Sequence, residues 1–137
     1  MAVTTYELLE KKLKTASIAL VNKTAATIID ETIQSMRARK SGVKYRSQYM
    51  PNRSSAPGET PAYQTGALAR SINKKLTISP IGVMAVISVG AEYAPYLVNL
   101  GRPILTPAAK KQKMPFLLNA KRIIQETIGG KVYYGNI

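Results

Sequence analysis

Cationic side chains are the residues of this sequence whose types and spacing most clearly indicate a chemical role. No carboxylate occurs between Thr32 and Gly58, whereas basic residues recur there with tyrosines among them. The candidate binding residues are Arg37, Arg39, Lys40, Lys44, Tyr45, Arg46, Tyr49 and Arg53. Such a field favours an acidic protein surface, nucleic acid or anionic lipid as the partner. A solvated basic loop that aids solubility is the alternative.

The excess of positive charge is confined to one part of the chain. Among 137 residues there are 20 Lys and Arg but 7 Asp and Glu, which gives a formal net charge of +13. Residues 1–31 hold four basic and four acidic residues, so the whole excess lies in residues 32–137. The sequence thus predicts a neutral first segment followed by an acid-poor, anion-attracting remainder.

Catalytic chemistry has little support in the sequence. The chain has no His and no Cys, which excludes His general bases, thiol nucleophiles and His or Cys zinc sites. The carboxylates are scattered, and although Glu59 and Glu92 could form a glycosidase pair, no further residue supports that chemistry. No glycine-rich phosphate loop is present. We therefore expect no catalytic residue, no metal site and no cofactor.

A long helix is expected to begin the chain and to carry the first basic residues at its end. Leu9, Leu13, Ala16 and Leu20 form one apolar stripe, and further apolar residues continue it around the axis. Residues 5–39 as one helix would be about 50 Å long. A break near residues 22–24 is the main alternative. The expected single domain comprises this helix (1–40), an extended basic loop (41–63) and an α+β body (64–137).

The body is predicted from alternating and helical spacing. Ile81 begins an apolar stretch to residue 100, but Glu92 and Pro95 interrupt it, so we expect no membrane span. Leu117, Ala120, Ile124 and Ile128 share one face of a last helix that we expect to open at Pro115. The expected elements are a short helix at 65–72 capped by Thr65, a β-hairpin of 74–79 and 83–89, a helix at 93–100, the last helix, and an edge strand at 131–134. The predicted fold class is α+β, with a small antiparallel sheet.

Three segments of the chain resemble a known family in order and spacing. Residues 54–72 read SSAPGETPAYQTGALARSI, similar to the pattern SAPGxPPAxDTGxLRxSI of small neck proteins of tailed bacteriophages. Residues 89–97 resemble VGxxYAxYL, and residues 114–120 resemble RPFLxPA, which opens the last helix of that family. The matching positions are Ala56, Pro57, Gly58, Pro61, Thr65, Gly66, Tyr93, Ala94, Tyr96, Pro115 and Phe116.

Departures from this pattern leave the alignment open in places. Gln64 stands where the family has Asp, and the segment after Leu97 lacks the Glu of YLEFGT. Residues 102–108 (RPILTPA) are a second candidate for RPFLxPA. We interpret the prolines and glycines of these motifs as shaping the scaffold, since proline fixes φ and glycine permits chain reversal. Tyr93 and Tyr96 are expected to place one ring inward and one hydroxyl at a polar rim.

The resemblance implies a structural virion protein of the phage neck. Such proteins are described as head–tail joining, tail-completion or minor tail-component proteins. They form homo-oligomeric rings that join the portal or adaptor to the tail around the DNA exit channel. The basic segment would then dock onto acidic neighbouring subunits or contact packaged DNA. The alternatives are a sequence-independent nucleic-acid-binding protein, for which the net charge is the main support, and a tail-terminator or tail-tube component.

Overall fold

The fold is α+β, as seen in a computed structural model that describes residues 5–44 and 52–128. The elements in chain order are α1 (Thr5–Arg37), α2 (Ala67–Arg70), β1 (Ile72–Ser79), β2 (Gly82–Val89), α3 (Ala94–Asn99) and α4 (Thr106–Ile128). The predicted long helix, hairpin and fold class are therefore confirmed. The predicted edge strand at 131–134, and Tyr45, Arg46 and Tyr49, lie outside the described residues.

Helix α1 is one uninterrupted helix and serves as the base on which the other elements pack. Its 33 residues contain no break near residues 22–24, so the predicted continuous helix is confirmed and the alternative of a break is wrong. Ala25, Thr32 and Met36 are its buried positions. The Thr32 hydroxyl donates to the carbonyl of Ile28 at 2.8 Å, which satisfies this polar group inside the core. The second half of α1 is therefore the part that packs most closely against the other elements.

Strands β1 and β2 form a two-stranded antiparallel hairpin that lies on α1. Ile72 faces Val89 at one end of the register, and Ser79 faces Gly82 at the turn. A two-stranded sheet is marginal by itself, so its stability depends on the helix beneath it. Lys74 also ties β1 to α1, because its ammonium donates to Asn22 Oδ1 at 2.7 Å. The hairpin is thus held by packing and not by its own ladder alone.

Helix α4 begins earlier than the sequence indicated, and the expectation that Pro115 opens it is wrong. The helix starts at Thr106, with Pro107 in its first turn, and Pro115 lies in its interior. Proline is favoured in a first turn, where its missing N–H is not needed, so Pro107 is the proline that suits the start. Pro115 deprives the Lys111 carbonyl of its usual helical donor, but packing against α1 keeps the helix continuous.

The buried face of α4 also differs from the expected one. Leu117 and Ile124 are 49% and 39% exposed, whereas Phe116, Ala120 and Ile123 are less exposed and face α1 and the hairpin. Three consecutive apolar residues at 116–118 leave the helical phase undetermined from spacing alone. Gln112 fixes the observed phase, since its amide donates to Glu31 Oε1 of α1 at 2.7 Å.

The hydrophobic core lies at the C-terminal end of α1. It is formed by residues from five parts of the chain: Met36, Leu68, Ala69, Ile72, Ala94 and Ile104. Met36, only 2% exposed, is its largest fully buried side chain. Burial of such side chains stabilises a fold by about 1.5–3 kcal/mol each. The core therefore fixes α2, β1, α3 and the start of α4 around the point where the basic loop leaves α1.

Candidate interaction surface

Five of the predicted cationic residues meet where α1 ends. They line a surface hollow of about 380 Å³ together with Ala38 and Asn52, and we call it the basic hollow. The five residues are Arg37, Arg39, Lys40, Lys44 and Arg53. Nothing in the spacing of residues 37–44 and 53 required this convergence. It arises because the two arms of the loop, 41–44 and 52–63, return to the same helix end.

The cations of the basic hollow are not equivalent. Arg53 donates to the Gly42 carbonyl at 3.2 Å, and the Arg37 guanidinium lies 4.8 Å from the centre of the Tyr63 ring. Arg39 and Lys44 are exposed, and within residues 5–44 and 52–128 neither has a hydrogen-bond or ion-pair partner. These two side chains are therefore the ones most available to an anionic partner.

Lys40 is buried although it was predicted as a binding residue. Its side chain is 7% exposed, and its ammonium donates to the Ser35 carbonyl at 2.6 Å. Burial lowers the pKa of Lys40, and the nearby negative charge of Glu59 partly offsets that effect. Lys40 thus fastens the loop to the end of α1 and presents little of its charge to a partner.

Glu59, the one carboxylate in this part of the chain, fastens the two arms of the loop. It accepts hydrogen bonds from the Ala56 N–H at 2.6 Å, the Ser41 N–H at 3.2 Å and the Ser41 hydroxyl at 2.9 Å. These donors, the Ala56 N–H first, hold the pKa of Glu59 below its usual value because they stabilise the ionised form. The negative charge of Glu59 is therefore stabilised by hydrogen bonds from residues of the loop itself.

Gln64 fixes the other arm in a way that an aspartate could not. Its amide oxygen accepts from the Asn52 N–H at 3.0 Å, and its amide nitrogen donates to the Asn52 carbonyl at 2.8 Å. The Asn52 amide in turn donates to the Tyr63 carbonyl. Aspartate lacks a donor when ionised, so this departure from the neck-protein pattern makes a two-way bond that the pattern's own residue cannot make.

An apolar groove adjoins the basic hollow on the side of Tyr63. Its volume is about 420 Å³, and we call it the tyrosine groove. It is lined by residues 54, 55 and 61–68 together with Met36, Tyr93, Tyr96 and Leu97. Tyr93 and Tyr96 are 47% and 64% exposed, so the expectation that one ring points inward is wrong. Both rings stand open to a partner, because the buried position of α3 is taken by Ala94.

The segments that resemble the neck-protein pattern come together around this groove. The Gly58 N–H donates to the Gly101 carbonyl at 2.7 Å, and the Arg102 guanidinium donates to the Ser55 carbonyl at 3.1 Å. Gly58 and Gly66 have φ values of 88° and 84°, a region that favours glycine. Pro61 is buried, and Thr65 accepts from the Ala67 N–H at 3.3 Å. Residues 102–108, and not 114–120, occupy the start of the last helix.

A second apolar surface lies on α4 and was not found from the sequence. Met114, Leu117 and Leu118 are 61%, 49% and 61% exposed, and we call them the α4 stripe. Their spacing places them on one side of the helix, beyond the face that packs on α1. The consecutive apolar residues at 116–118 could have indicated an exposed apolar surface, because one helix face cannot bury all three of them.

The described residues hold no group of three or more Asp and Glu that could bind a metal ion, and no described helix combines the length and hydropathy of a membrane span. Comparisons of the chain with protein-family models, curated proteins and solved structures found no match.

Proposed function

We propose that this protein is a structural component of the tailed-bacteriophage neck that forms a homo-oligomeric ring between the portal or adaptor and the tail. The observation that carries the proposal is the presence of two separate exposed apolar surfaces, the tyrosine groove and the α4 stripe. The resemblance of residues 54–72 and 89–97 to neck proteins supports it. The protein would act by assembly and not by catalysis, and would lie in the virion after assembly in the host cytoplasm.

Two different apolar surfaces suit a ring. A head-to-tail contact between subunits needs two unlike, complementary surfaces, and such contacts close into a ring when the rotation allows it. In this arrangement the α4 stripe of one copy packs into the tyrosine groove of the next. Contiguous exposed apolar side chains mark interaction sites, and tyrosine and methionine are enriched at them. The groove has two exposed tyrosines and the stripe has Met114.

The basic hollow suits a different partner. Copies that each carry a formal charge of +13 repel one another, so a cationic surface is a poor contact between copies. It would dock instead onto acidic surfaces of the portal, adaptor or tail proteins on either side of the ring. Arg39 and Lys44 would supply the new ion pairs, while Arg37 remains over Tyr63 at the border with the groove.

Sequence-independent binding of nucleic acid is the second candidate, and the convergence of cations in the basic hollow is the observation that favours it. Arg37, Arg39, Lys44 and Arg53 engaged with phosphates would give a slope of about −4 in a plot of log affinity against log salt. Docking onto protein is preferred because DNA has to slide through a neck during ejection, and tight phosphate contacts would oppose sliding. Placement as a tail terminator or tail-tube component would use the same ring contacts.

A mixing experiment tests the head-to-tail ring. Leu118→Glu disables the stripe and leaves the groove intact, whereas Tyr96→Glu disables the groove and leaves the stripe intact. Each variant alone should remain monomeric in sedimentation velocity, because every contact would need the missing surface. An equimolar mixture should give a dimer with a single intact interface. Ile81→Glu, which changes a side chain that is 99% exposed at the hairpin turn, is the matched control and should still assemble.

Other outcomes of this experiment are equally informative. A wild-type chain that stays monomeric at all concentrations, alone and with acidic neck proteins, would contradict the proposal. Assembly of either variant alone would mean that the interface pairs like with like, and a mixture that gives no dimer would mean that the stripe does not bind the groove. Tight duplex-DNA binding with a slope near −4, lost in Arg39→Glu, would favour the second candidate function.

A further inference from the structure

The outer edge of β2 carries backbone groups that no described element pairs with. The Gly90 N–H donates to the Ser71 carbonyl at 2.9 Å, which identifies this opposed pair as a hydrogen-bonded one. Hydrogen-bonded and non-hydrogen-bonded pairs alternate along an antiparallel ladder, so Val83, Ala85 and Ile87 direct their N–H and C=O groups away from β1. Within the part of the chain that the structure describes, no other element bonds to these groups. This edge of β2 is therefore open to a further strand.

A groove runs along the open edge between β2 and α4, and we call it the edge groove. It consists of two adjoining hollows of about 540 and 640 Å³ that share Val21, Val83 and Phe116. Helix α1 packs against both β2 and α4, which places it at the base of the groove between them. Val21, Ala25 and Ile28 make that base mostly apolar. An apolar base beside an unpaired strand edge is the arrangement that receives an extended peptide as an added strand.

The side of the edge groove that α4 forms is cationic. Lys110 and Lys113 line the smaller hollow, and no carboxylate is among its described lining residues. Both lysines are exposed, and neither has a hydrogen-bond or ion-pair partner among the described residues. In the larger hollow, Lys14 and Glu10 offset each other. The charges of the groove therefore favour an acidic occupant over a neutral or basic one.

We propose that the edge groove binds an extended acidic segment of another protein as a third strand beside β2. The backbone of this segment would satisfy the outward N–H and C=O groups of β2. Because side chains alternate along a strand, every second residue would face α1 and the residues between would face outward. The residues that cover Ala25 and Ile28 would be apolar, and the outward ones would be Asp or Glu that pair with Lys110 and Lys113. The partner segment is therefore one in which apolar and acidic residues alternate.

A second copy of this chain is a poorer occupant of the edge groove. Strand β2 has no charged residue, and β1 carries Lys74 and Lys75, so neither strand of a second copy would bring a carboxylate to the lysines of α4. The edge groove also shares no lining residue with the tyrosine groove, and no residue of the α4 stripe lines it. Binding of the acidic segment therefore does not depend on assembly of the ring.

Amide hydrogen exchange with a synthetic peptide tests the proposal. The probe is a peptide of alternating valine and glutamate with the 8-residue length of β2, added at about ten times its dissociation constant to protein that sediments as a monomer. The N–H groups of Val83, Ala85 and Ile87 should exchange fast in the free protein and about tenfold more slowly with the peptide. The N–H groups of Met84 and Val86 point towards β1 and are the internal reference, protected in both states.

Matched variants separate strand pairing from general attraction of charge. Lys110→Gln/Lys113→Gln should weaken peptide binding in calorimetry by about 2- to 30-fold, the range for two exposed ion pairs. Lys12→Gln/Lys121→Gln removes the same charge from exposed positions that line neither hollow and should bind like the wild type. In the peptide, N-methylation of either the valine or the glutamate nitrogens should abolish the protection, and methylation of the other set should leave most of it, because successive N–H groups point in opposite directions.

Three kinds of result would overturn the proposal. Slow exchange of the three amides in the free monomeric protein would mean that the edge of β2 is already paired. An absence of protection by the peptide, equal binding of a peptide with lysine in place of glutamate, or binding that neither methylation weakens would exclude an acidic strand. Protection that appears without peptide as the protein concentration rises would assign the groove to a second copy.

Discussion

Gly66 lies in the segment 54–72 that resembles neck proteins, and it lines the tyrosine groove beside Tyr63. With φ at 84°, it is in the left-handed region, where an L-residue costs about 1–2 kcal/mol. A Cβ at this position would lie 2.5 Å from the Tyr63 hydroxyl and 2.7 Å from an Arg70 guanidinium nitrogen. The Tyr63 ring would have to move, and its contact with Arg37 would be lost at a cost of about 0.5–1 kcal/mol.

Gly66→Ala should therefore destabilise the protein by about 1.5–3 kcal/mol, from backbone strain plus the displaced ring. Gly58→Ala is the matched control, because Gly58 has a φ of 88° but its Cβ would meet nothing within 4 Å. The control should lose only about 1–2 kcal/mol. Urea unfolding of both variants, measured on the monomeric Leu118→Glu background, checks the difference. Equal losses in the two variants would refute the argument that Tyr63 restricts position 66.

Two further predictions concern the loop and the core. Hydrogen bonds from Ala56 and Ser41 lower the pKa of Glu59, so they stabilise the folded state at neutral pH. This stabilisation is lost as the pH falls through the pKa of Glu59 in the folded protein, which lies below about 4.5. The stability difference between wild type and Glu59→Gln should therefore shrink on acidification; a difference independent of pH would contradict this role. Met36→Ala should cost about 2–5 kcal/mol in thermal or urea unfolding because it opens a cavity in the core. Met114→Ala, at a side chain that is 61% exposed, should change stability by less than about 0.5 kcal/mol, and comparable losses would contradict the assignment of core and surface.

The parts of the fold that were predicted from sequence are those specified by local pattern. The spacing of Leu9, Leu13 and Leu20 predicted α1. Alternation in residues 74–79 and the β-branched residues of 83–89, on either side of Pro80, predicted the hairpin. Proline gave a misleading signal in α4, because both Pro107 and Pro115 are acceptable first-turn residues and only packing against α1 decides between them. Local sequence pattern is thus sufficient to predict which helices and strands form, but not where each one begins and ends.

Of the candidate interaction surface, only the positive charge could be predicted from the sequence. The absence of carboxylates between Thr32 and Gly58 indicated a basic surface, but the burial of Lys40 depends on a contact with the end of α1. The exposure of Tyr93 and the use of Gln64 as a two-way clamp depend on residues that are distant in sequence. Tertiary contacts of this kind leave no periodic signal in the chain.

The proposed function would be tested most directly by electron microscopy of the phage particles to which it assigns this chain. We expect a ring of this protein between portal and tail, in which the α4 stripe of each copy lies in the tyrosine groove of the next. Arg39 and Lys44 should face carboxylates of a neighbouring neck protein. Particles without density for this chain at the neck would contradict the proposed function.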